Sequence, residues 1–109
     1  LVIDDGGVVR ADARKDPEFL HSVLDTDAGA RYLGEFAIGT NYGVDRFTRN
    51  ILFDEKMGGT LHLALGASYP DTGGRNQSSV HWDMVCDMSF ESEIAADGEV
   101  FYRDGQFVI

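Results

Sequence analysis

The residues most suited to chemistry are His81 and Asp83, which lie two positions apart in a segment of alternating polar and apolar residues. In a β-strand, side chains at i and i+2 leave the same face about 6.6 Å apart. An imidazole and a carboxylate at that spacing can converge on one ion or on two adjacent ions, and both ligand types suit Zn, Co or Mn. The same pattern is typical of the solvent face of an amphipathic strand, and on pattern alone that interpretation is favoured.

Two more titratable residues lie in apolar surroundings and strengthen the metal hypothesis. His62 lies within the apolar residues 60–65, and Glu35 begins an apolar strand directly after Gly34. A buried neutral histidine with one hydrogen bond is the commoner explanation of a residue such as His62. A carboxylate in the position of Glu35 needs a cation, a backbone N–H group or a metal.

Glu55 and Tyr69 are further candidates with ordinary explanations. Glu55 is a possible ligand, a charge at a helix N-terminus, or half of a surface ion pair. Tyr69, seven residues after His62, is either a packing aromatic or a hydroxyl directed at a metal site. His21 belongs to a predicted helix and is interpreted as structural.

Other chemistry has little support in the sequence. Cys86 shares the apolar side of its segment with Trp82 and Met84, which argues against a nucleophilic role. The chain has no GxGxxG or Walker-type loop and no HExxH motif, which excludes a helix-based zinc protease site. Its aromatic residues are not interleaved with Lys and Arg, so a nucleic-acid platform is not indicated.

The elements that position these residues belong to an acidic chain of one domain's length. It has 109 residues, 43% of them hydrophobic, and a formal net charge of −10, which argues against nucleic acid and anionic membranes as partners. A single cysteine fits a reducing, cytoplasmic setting. No apolar run approaches the roughly 20 residues of a membrane span. Because the chain opens inside an apolar segment with Leu1, we expect it to be part of a longer protein.

The pattern of the chain predicts an α+β class with mostly antiparallel strands and two short helices near the N-terminus. A hairpin is expected over residues 1–11, a helix from the Asp16 cap and Pro17, and a second short helix from Asp27 to Tyr32. Strands are expected over residues 35–40, 60–65 and 80–90, followed by two hairpins that turn at Asp-Gly pairs. Residues 41–59 are interpreted as a loop with one helical turn, and residues 66–79 as a long functional or mobile loop.

Three motifs in order then resemble one family, the aminopeptidase T/S family, also called thermophilic metalloproteases. The motifs are LGEFAIGTN at residues 33–41, NILFDEK followed by GGTLHLALG at residues 50–66, and SVHWD at residues 79–83. The resemblance covers nearly the whole chain. It identifies residues 1–109 as a single C-terminal metal-binding domain, without the family's large N-terminal domain and without a glutamate ligand that the family contributes from an upstream segment.

The resemblance implies a cytoplasmic, homodimeric enzyme that removes N-terminal residues from peptides with two divalent ions, Zn, Co or Mn. Glu35 is implied as the bridging ligand, with His62, His81 and Asp83 as further ligands. Tyr69 is implied as a ligand or a hydrogen-bond donor to the transition state. Glu55 matches a family acidic position and is a second candidate for ligation or proton transfer. Without the upstream glutamate, the isolated chain is expected to be inactive.

Two alternatives remain open at this point. A ring-cleaving dioxygenase that acts on dihydroxypyridine resembles the same family, and His62, His81 and Asp83 could supply its single Fe(II) triad. Glu35, Glu55 and Tyr69 exceed what such a triad needs and favour the hydrolase. The other alternative is a metal-free binding or dimerisation module.

Overall fold

The computed structural model describes residues 1–44 and 46–109, which form eight strands and two short α-helices. In chain order the elements are β1 (Val2–Asp4), β2 (Gly7–Arg10), α1 (Pro17–Leu24), β3 (Leu33–Ile38), α2 (Ile51–Asp54), β4 (Thr60–Gly66), β5 (His81–Asp87), β6 (Glu93–Ala96), β7 (Glu99–Arg103) and β8 (Gln106–Phe107). The α+β class with mostly antiparallel strands is confirmed.

In each of three hairpins, an Asp-Gly turn joins the two paired strands. Strand β1 pairs with β2, β6 with β7, and β7 with β8, all antiparallel. Both residues of each turn have positive φ, at Asp5-Gly6, Asp97-Gly98 and Asp104-Gly105. This is the backbone geometry of two-residue hairpin turns that match the strand twist. The predicted hairpins are therefore confirmed.

Helix α1 begins as its sequence predicts. The Asp16 side chain accepts a hydrogen bond from Phe19 N at 3.2 Å, and Pro17 occupies the first helical position. An N-cap and a proline at N1 satisfy or remove donors that the first turn leaves unpaired. Leu20 and Leu24 are the buried side chains of this helix.

The second helix predicted near the N-terminus is wrong, because residues 27–32 form turns. Backbone carbonyls that a helix would use are bonded elsewhere: Gly29 O accepts from the Asn76 side chain, Arg31 O from Val8 N, and Tyr32 O from Gly66 N. Contacts with distant residues thus override the helical propensity of the segment. The other helix is α2, at the helical turn expected within residues 41–59; residue 45 of that segment lies outside the described residues.

The chain forms two compact units, Leu1–Phe36 with Leu63–Asp83, and Ala37–His62 with Met84–Ile109. The buried apolar residues of the first unit are Val8, Leu20, Leu24, Ala30, Ala64 and Leu65. Those of the second unit are Met57 and Tyr102, together with the buried polar residues Asp54, Thr60 and His62.

Strands β3, β4 and β5 form one sheet in that order. Backbone bonds at the strand ends follow the antiparallel pattern, with the pairs Tyr32–Gly66 and Gly39–Thr60 for β3 and β4, and Val80–Ala67 and Gly59–Met88 for β4 and β5. Strand β5 ends at Asp87, three residues earlier than predicted, and Cys86 at its end is exposed.

Within residues 1–44 and 46–109, no helix has the length and apolar character needed to cross a membrane.

Candidate metal centre

The first unit brings together three of the predicted ligands, Glu35, His81 and Asp83. His81 Nε2 lies 3.5 Å from Glu35 Oε2 and 3.3 Å from Asp83 Oδ1. One ligand atom from each of the three residues lies within 4.8 Å of the others. Alternation along β5 explains why His81 and Asp83 share a face, whereas Glu35 comes from β3.

A backbone carbonyl determines the orientation of the His81 ring. His81 Nδ1 lies 2.7 Å from Ala67 O. Because a carbonyl oxygen only accepts hydrogen bonds, Nδ1 carries the proton in this contact. In the neutral ring, Nε2 then has its lone pair directed at the two carboxylates. Histidine ligands of metals commonly donate their other N–H group to a carbonyl in this way.

Gly34 allows the Ala67 carbonyl to reach this position. A Cβ atom at residue 34 would lie 2.2 Å from Gly66 O and 2.4 Å from Ala67 O. Real Cβ atoms do not come below 3.0 Å of another heavy atom, so the backbone that follows β4 fits against β3 only because residue 34 has no side chain. The residue before Glu35 thereby helps to place the hydrogen-bond partner of His81.

The electrostatics of this group favour a cation. A lone pair on Nε2 that faces two carboxylate oxygens is stable only if a proton or a positive ion lies between them. The side chains of Glu35, His81 and Asp83 are 26%, 27% and 28% exposed, so solvent reaches the group without fully screening it. A nitrogen and two carboxylates are ligands that borderline divalent metals accept.

Tyr69 lies beside the same group. Its ring centroid is 5.5 Å from that of His81, and the two planes are inclined by 57°. A short 3-10 helix, Pro70–Thr72, begins at the next residue. The ring of Tyr69 is therefore a neighbour of the His81 imidazole.

Glu55 and His62 form a pair in the second unit. Glu55 Oε2 lies 4.0 Å from His62 Nε2, and the two side chains are 12% and 6% exposed. Glu55 also accepts a hydrogen bond from Lys56 Nζ. It follows α2 directly, and its backbone N–H bonds to Ile51 O at 3.0 Å. A buried histidine next to a nearly buried carboxylate is consistent with ligation or proton transfer.

Asp54, the residue directly before Glu55, holds the segment that leads into α2 through its carboxylate. Asp54 is buried, and its Oδ1 accepts from Thr48 N at 2.7 Å and from Thr48 Oγ1 at 2.8 Å, while Oδ2 accepts from Arg49 N at 3.1 Å. These bonds, the one from Thr48 N foremost, lower the pKa of Asp54. The Asp54 carboxylate thus joins the last residue of α2, directly before Glu55, to Thr48 and Arg49, which lie just before the helix.

Sequence reasoning missed the role of Asp27. Interpreted as a helix cap, Asp27 instead accepts from Ser78 Oγ at 2.7 Å, Ser79 N at 2.9 Å and Ser79 Oγ at 3.1 Å. These bonds, led by that of Ser78, lower the pKa of Asp27 to about 2. The only signal in the sequence is the Ser78-Ser79 pair just before the strand, and nothing local connects it with Asp27.

A histidine set by a backbone carbonyl and facing two carboxylates defines a candidate divalent-cation site on an α+β fold. The chain belongs to the thermophilic metalloprotease family (M29), whose model matches residues 1–107. The resemblance drawn from the three sequence motifs is thereby confirmed at the level of the family.

Two curated relatives have related names. The chain is 34% identical to Aminopeptidase 2 of Geobacillus stearothermophilus and 30% identical to Aminopeptidase AmpS of Bacillus subtilis strain 168. Each comparison covers 98% of this chain and 31% of the relative. The chain therefore spans about a third of the length of these relatives. No solved structure gives a significant match to it.

Proposed function

We propose that this chain is the metal-binding part of an aminopeptidase that uses two divalent ions, Zn, Co or Mn, to hydrolyse the first peptide bond of a substrate. The observation that carries the proposal is the His81 ring, whose Nδ1 is held by Ala67 O at 2.7 Å while Nε2 faces Glu35 and Asp83. Membership of a metalloprotease family and the names of the relatives support it.

The donor set fits such ions. Glu35 would bridge the ions, as the family resemblance implies, since one carboxylate can offer an oxygen to each of two ions. His81 and Asp83 add a nitrogen and a carboxylate within 4.8 Å of it. The family resemblance implies that His62 would supply the other imidazole and Tyr69 a phenol oxygen. Ions of this kind polarise a carbonyl group and bring the pKa of an attacking water close to neutrality.

The chain's own residues then have distinct tasks. Glu35 and Asp83 would hold an ion to which the free α-amine of the substrate binds, which would favour the N-terminus of a peptide over an internal bond. Glu55 acts as general base toward the attacking water and as general acid toward the leaving amine. Its side chain is only 12% exposed, so little bulk water competes for the proton. Tyr69 donates a hydrogen bond to the oxyanion of the transition state.

The proposed setting follows from the same assignment. The substrate is a peptide with a free N-terminus, the protein acts as a homodimer in the cytoplasm, and the chain is its C-terminal domain. The net charge of −10 is unsuited to nucleic acid or to an anionic membrane surface as a partner.

Metal content tests the proposal directly. The purified protein is measured by elemental mass spectrometry before and after chelation, with His81→Ala as the variant and His21→Ala as the matched control. His21 is an exposed residue of α1, so its loss removes an imidazole without touching the group. We expect about one or two equivalents of Zn, Co or Mn per chain, lost with chelator and reduced only in His81→Ala.

Activity of the longer protein, which would include the upstream glutamate that the resemblance implies, on aminoacyl substrates with free and acetylated amines completes the test. The proposal predicts turnover of the free amine only, and loss of that turnover in Glu55→Gln with metal content retained. Bound iron and ring cleavage, with no peptide turnover, would favour the dioxygenase over the aminopeptidase. If the protein takes up none of these ions and chelator leaves its thermal midpoint unchanged, the chain would be the metal-free module instead.

A further inference from the structure

We propose that a cavity of the second unit binds the C-terminal residue of a short peptide, which combines an apolar side chain with a free α-carboxylate. The cavity has a volume of about 290 Å³ and is lined by Phe47, Arg49, Ile51, Asp54 and Val85. Ligand sites commonly measure about 300–1,000 Å³, so this cavity has the size for a group as large as one amino acid. The place of the cavity in catalysis rests on the proposed function.

Three of the five lining side chains are apolar, and they are open to a ligand. Phe47 and Ile51 are 47% and 42% exposed, and Val85 of β5 is half-buried. A ligand that covers these side chains removes apolar surface from water, which favours binding. The lining therefore favours an aliphatic or aromatic side chain.

The two charged residues of the lining differ in what they offer a ligand. Both oxygens of Asp54 already accept hydrogen bonds, Oδ1 from Thr48 N and Oγ1 and Oδ2 from Arg49 N. In the part of the chain that the structure describes, the Arg49 guanidinium forms no hydrogen bond or ion pair. Of these two charges, the one without a partner is therefore positive, and a guanidinium can bind a carboxylate through two parallel hydrogen bonds.

The surroundings of Arg49 are basic within an acidic chain. Residues 46–53 contain Arg46 and Arg49 and no Asp or Glu, whereas the whole chain has a net charge of −10. Most of the surface therefore repels a carboxylate, and this segment attracts one.

The backbone of Arg49 is held in an uncommon conformation. Its φ is 63°, in the left-handed region that residues other than glycine rarely adopt. The bond from Arg49 N to Asp54 Oδ2 at 3.1 Å supports this conformation, and the next residue, Asn50, caps α2 through Leu52 N at 3.1 Å. Residues in such conformations cluster at binding and catalytic sites, and here the conformation fixes the point from which the guanidinium leaves the backbone beside the cavity.

One helical turn joins the cavity to Glu55. Glu55 N donates to Ile51 O at 3.0 Å, and residues i and i+4 of a helical turn lie on the same face. Four residues of helix rise about 6 Å, which is close to the length of two residues of extended peptide. A peptide of two or three residues whose C-terminal side chain fills the cavity therefore reaches Glu55 with its first peptide bond.

Ligand titrations followed by amide NMR of the 109-residue chain test the cavity without metal or turnover. The probes are acetyl-leucine, its amide, which lacks the carboxylate, and acetylglycine, which lacks the apolar side chain. We expect acetyl-leucine to shift the amide signals of Phe47, Ile51 and Val85 in a saturable way. The other two probes should bind about 10–100-fold more weakly, because each loses either the charge-assisted hydrogen bonds or the buried side chain.

Three variants test the role of Arg49. Arg49→Ala should bind acetyl-leucine as weakly as the wild type binds its amide, and Arg49→Lys, which keeps the charge without the planar fork, should recover part of the affinity. Arg46→Ala is the matched control, because Arg46 is an exposed arginine of the same segment outside the lining, and it should keep the wild-type affinity. Equal binding of acetyl-leucine and its amide, or unchanged binding of acetyl-leucine by Arg49→Ala, would overturn the proposal.

A last pair of probes separates a peptide end from a free amino acid, which has the same side chain and carboxylate. Acetyl-alanyl-leucine should bind more tightly than leucine, because it extends towards Glu55 and brings no ammonium group near Arg49. Tighter binding of leucine would overturn the assignment to a peptide. A chain that shows the expected binding and takes up no metal would refute the proposed function alone, whereas a chain that takes up metal and does not distinguish acetyl-leucine from its amide would refute the cavity alone.

Discussion

Replacing Gly34 with alanine tests the backbone contact on which the His81 orientation depends. The added Cβ would lie 2.2 Å from Gly66 O and 2.4 Å from Ala67 O, whereas ordinary contacts begin at 3.4 Å. The chain at residues 66 and 67 must therefore retreat by about 1 Å. A retreat of that size lengthens the 2.7 Å contact between His81 Nδ1 and Ala67 O beyond the range of a hydrogen bond.

The expected cost has two parts. Overpacking costs about 1–3 kcal/mol, and one lost hydrogen bond about 0.5–1.5 kcal/mol, so the free energy of unfolding should fall by about 1.5–4.5 kcal/mol. Zinc affinity should fall by about 10–100-fold, because His81 loses the partner that orients it. Urea unfolding measures the first quantity, and chelator competition the second.

Gly43→Ala is the control for Gly34→Ala. Residue 43 lies in the second unit, and an added Cβ there would meet one side-chain atom, Asn41 Oδ1, at 3.1 Å. Its effect on stability should stay within about 0.5 kcal/mol. The reasoning is refuted if Gly34→Ala matches this control in both stability and zinc affinity, since the backbone would then have absorbed the Cβ without disturbing His81.

Two further predictions concern stability. The pKa of Asp27 is about 2 in the folded chain against an ordinary value of 3.8, so its contribution to stability is complete above pH 3.8 and is lost as the pH falls towards 2. In Asp27→Asn the urea midpoint should therefore depend less on pH between 3.8 and 2. A pH dependence equal to that of the wild type would contradict the assignment. Leu24 is fully buried, so Leu24→Ala should lower the free energy of unfolding by about 2–5 kcal/mol. The Leu52 side chain is 69% exposed, so Leu52→Ala should lower it by less than about 0.5 kcal/mol. Thermal unfolding measures both, and similar losses would show that burial does not decide them.

Local patterns in the sequence correctly predicted the elements whose causes are local. The Asp-Gly pairs specify hairpin turns because both residues tolerate positive φ, and Asp16 with Pro17 specifies the start of α1 because cap and first turn are neighbours in sequence. The alternation in β5 placed His81 and Asp83 on one face. Their membership of a ligand group with Glu35, however, was implied only by the family resemblance.

The tertiary structure decided what depends on residues distant in sequence. Residues 27–32 have helical propensity, yet their carbonyls and the Asp27 carboxylate bond to Val8, Gly66 and the 67–80 loop. The carbonyl that selects the His81 tautomer belongs to Ala67, and it is admitted by the absence of a side chain at Gly34. Periodicity and turn chemistry report on neighbours along the chain. The approach of two segments many residues apart is set by packing and by which donors remain to be satisfied, and these exist only once the chain has folded.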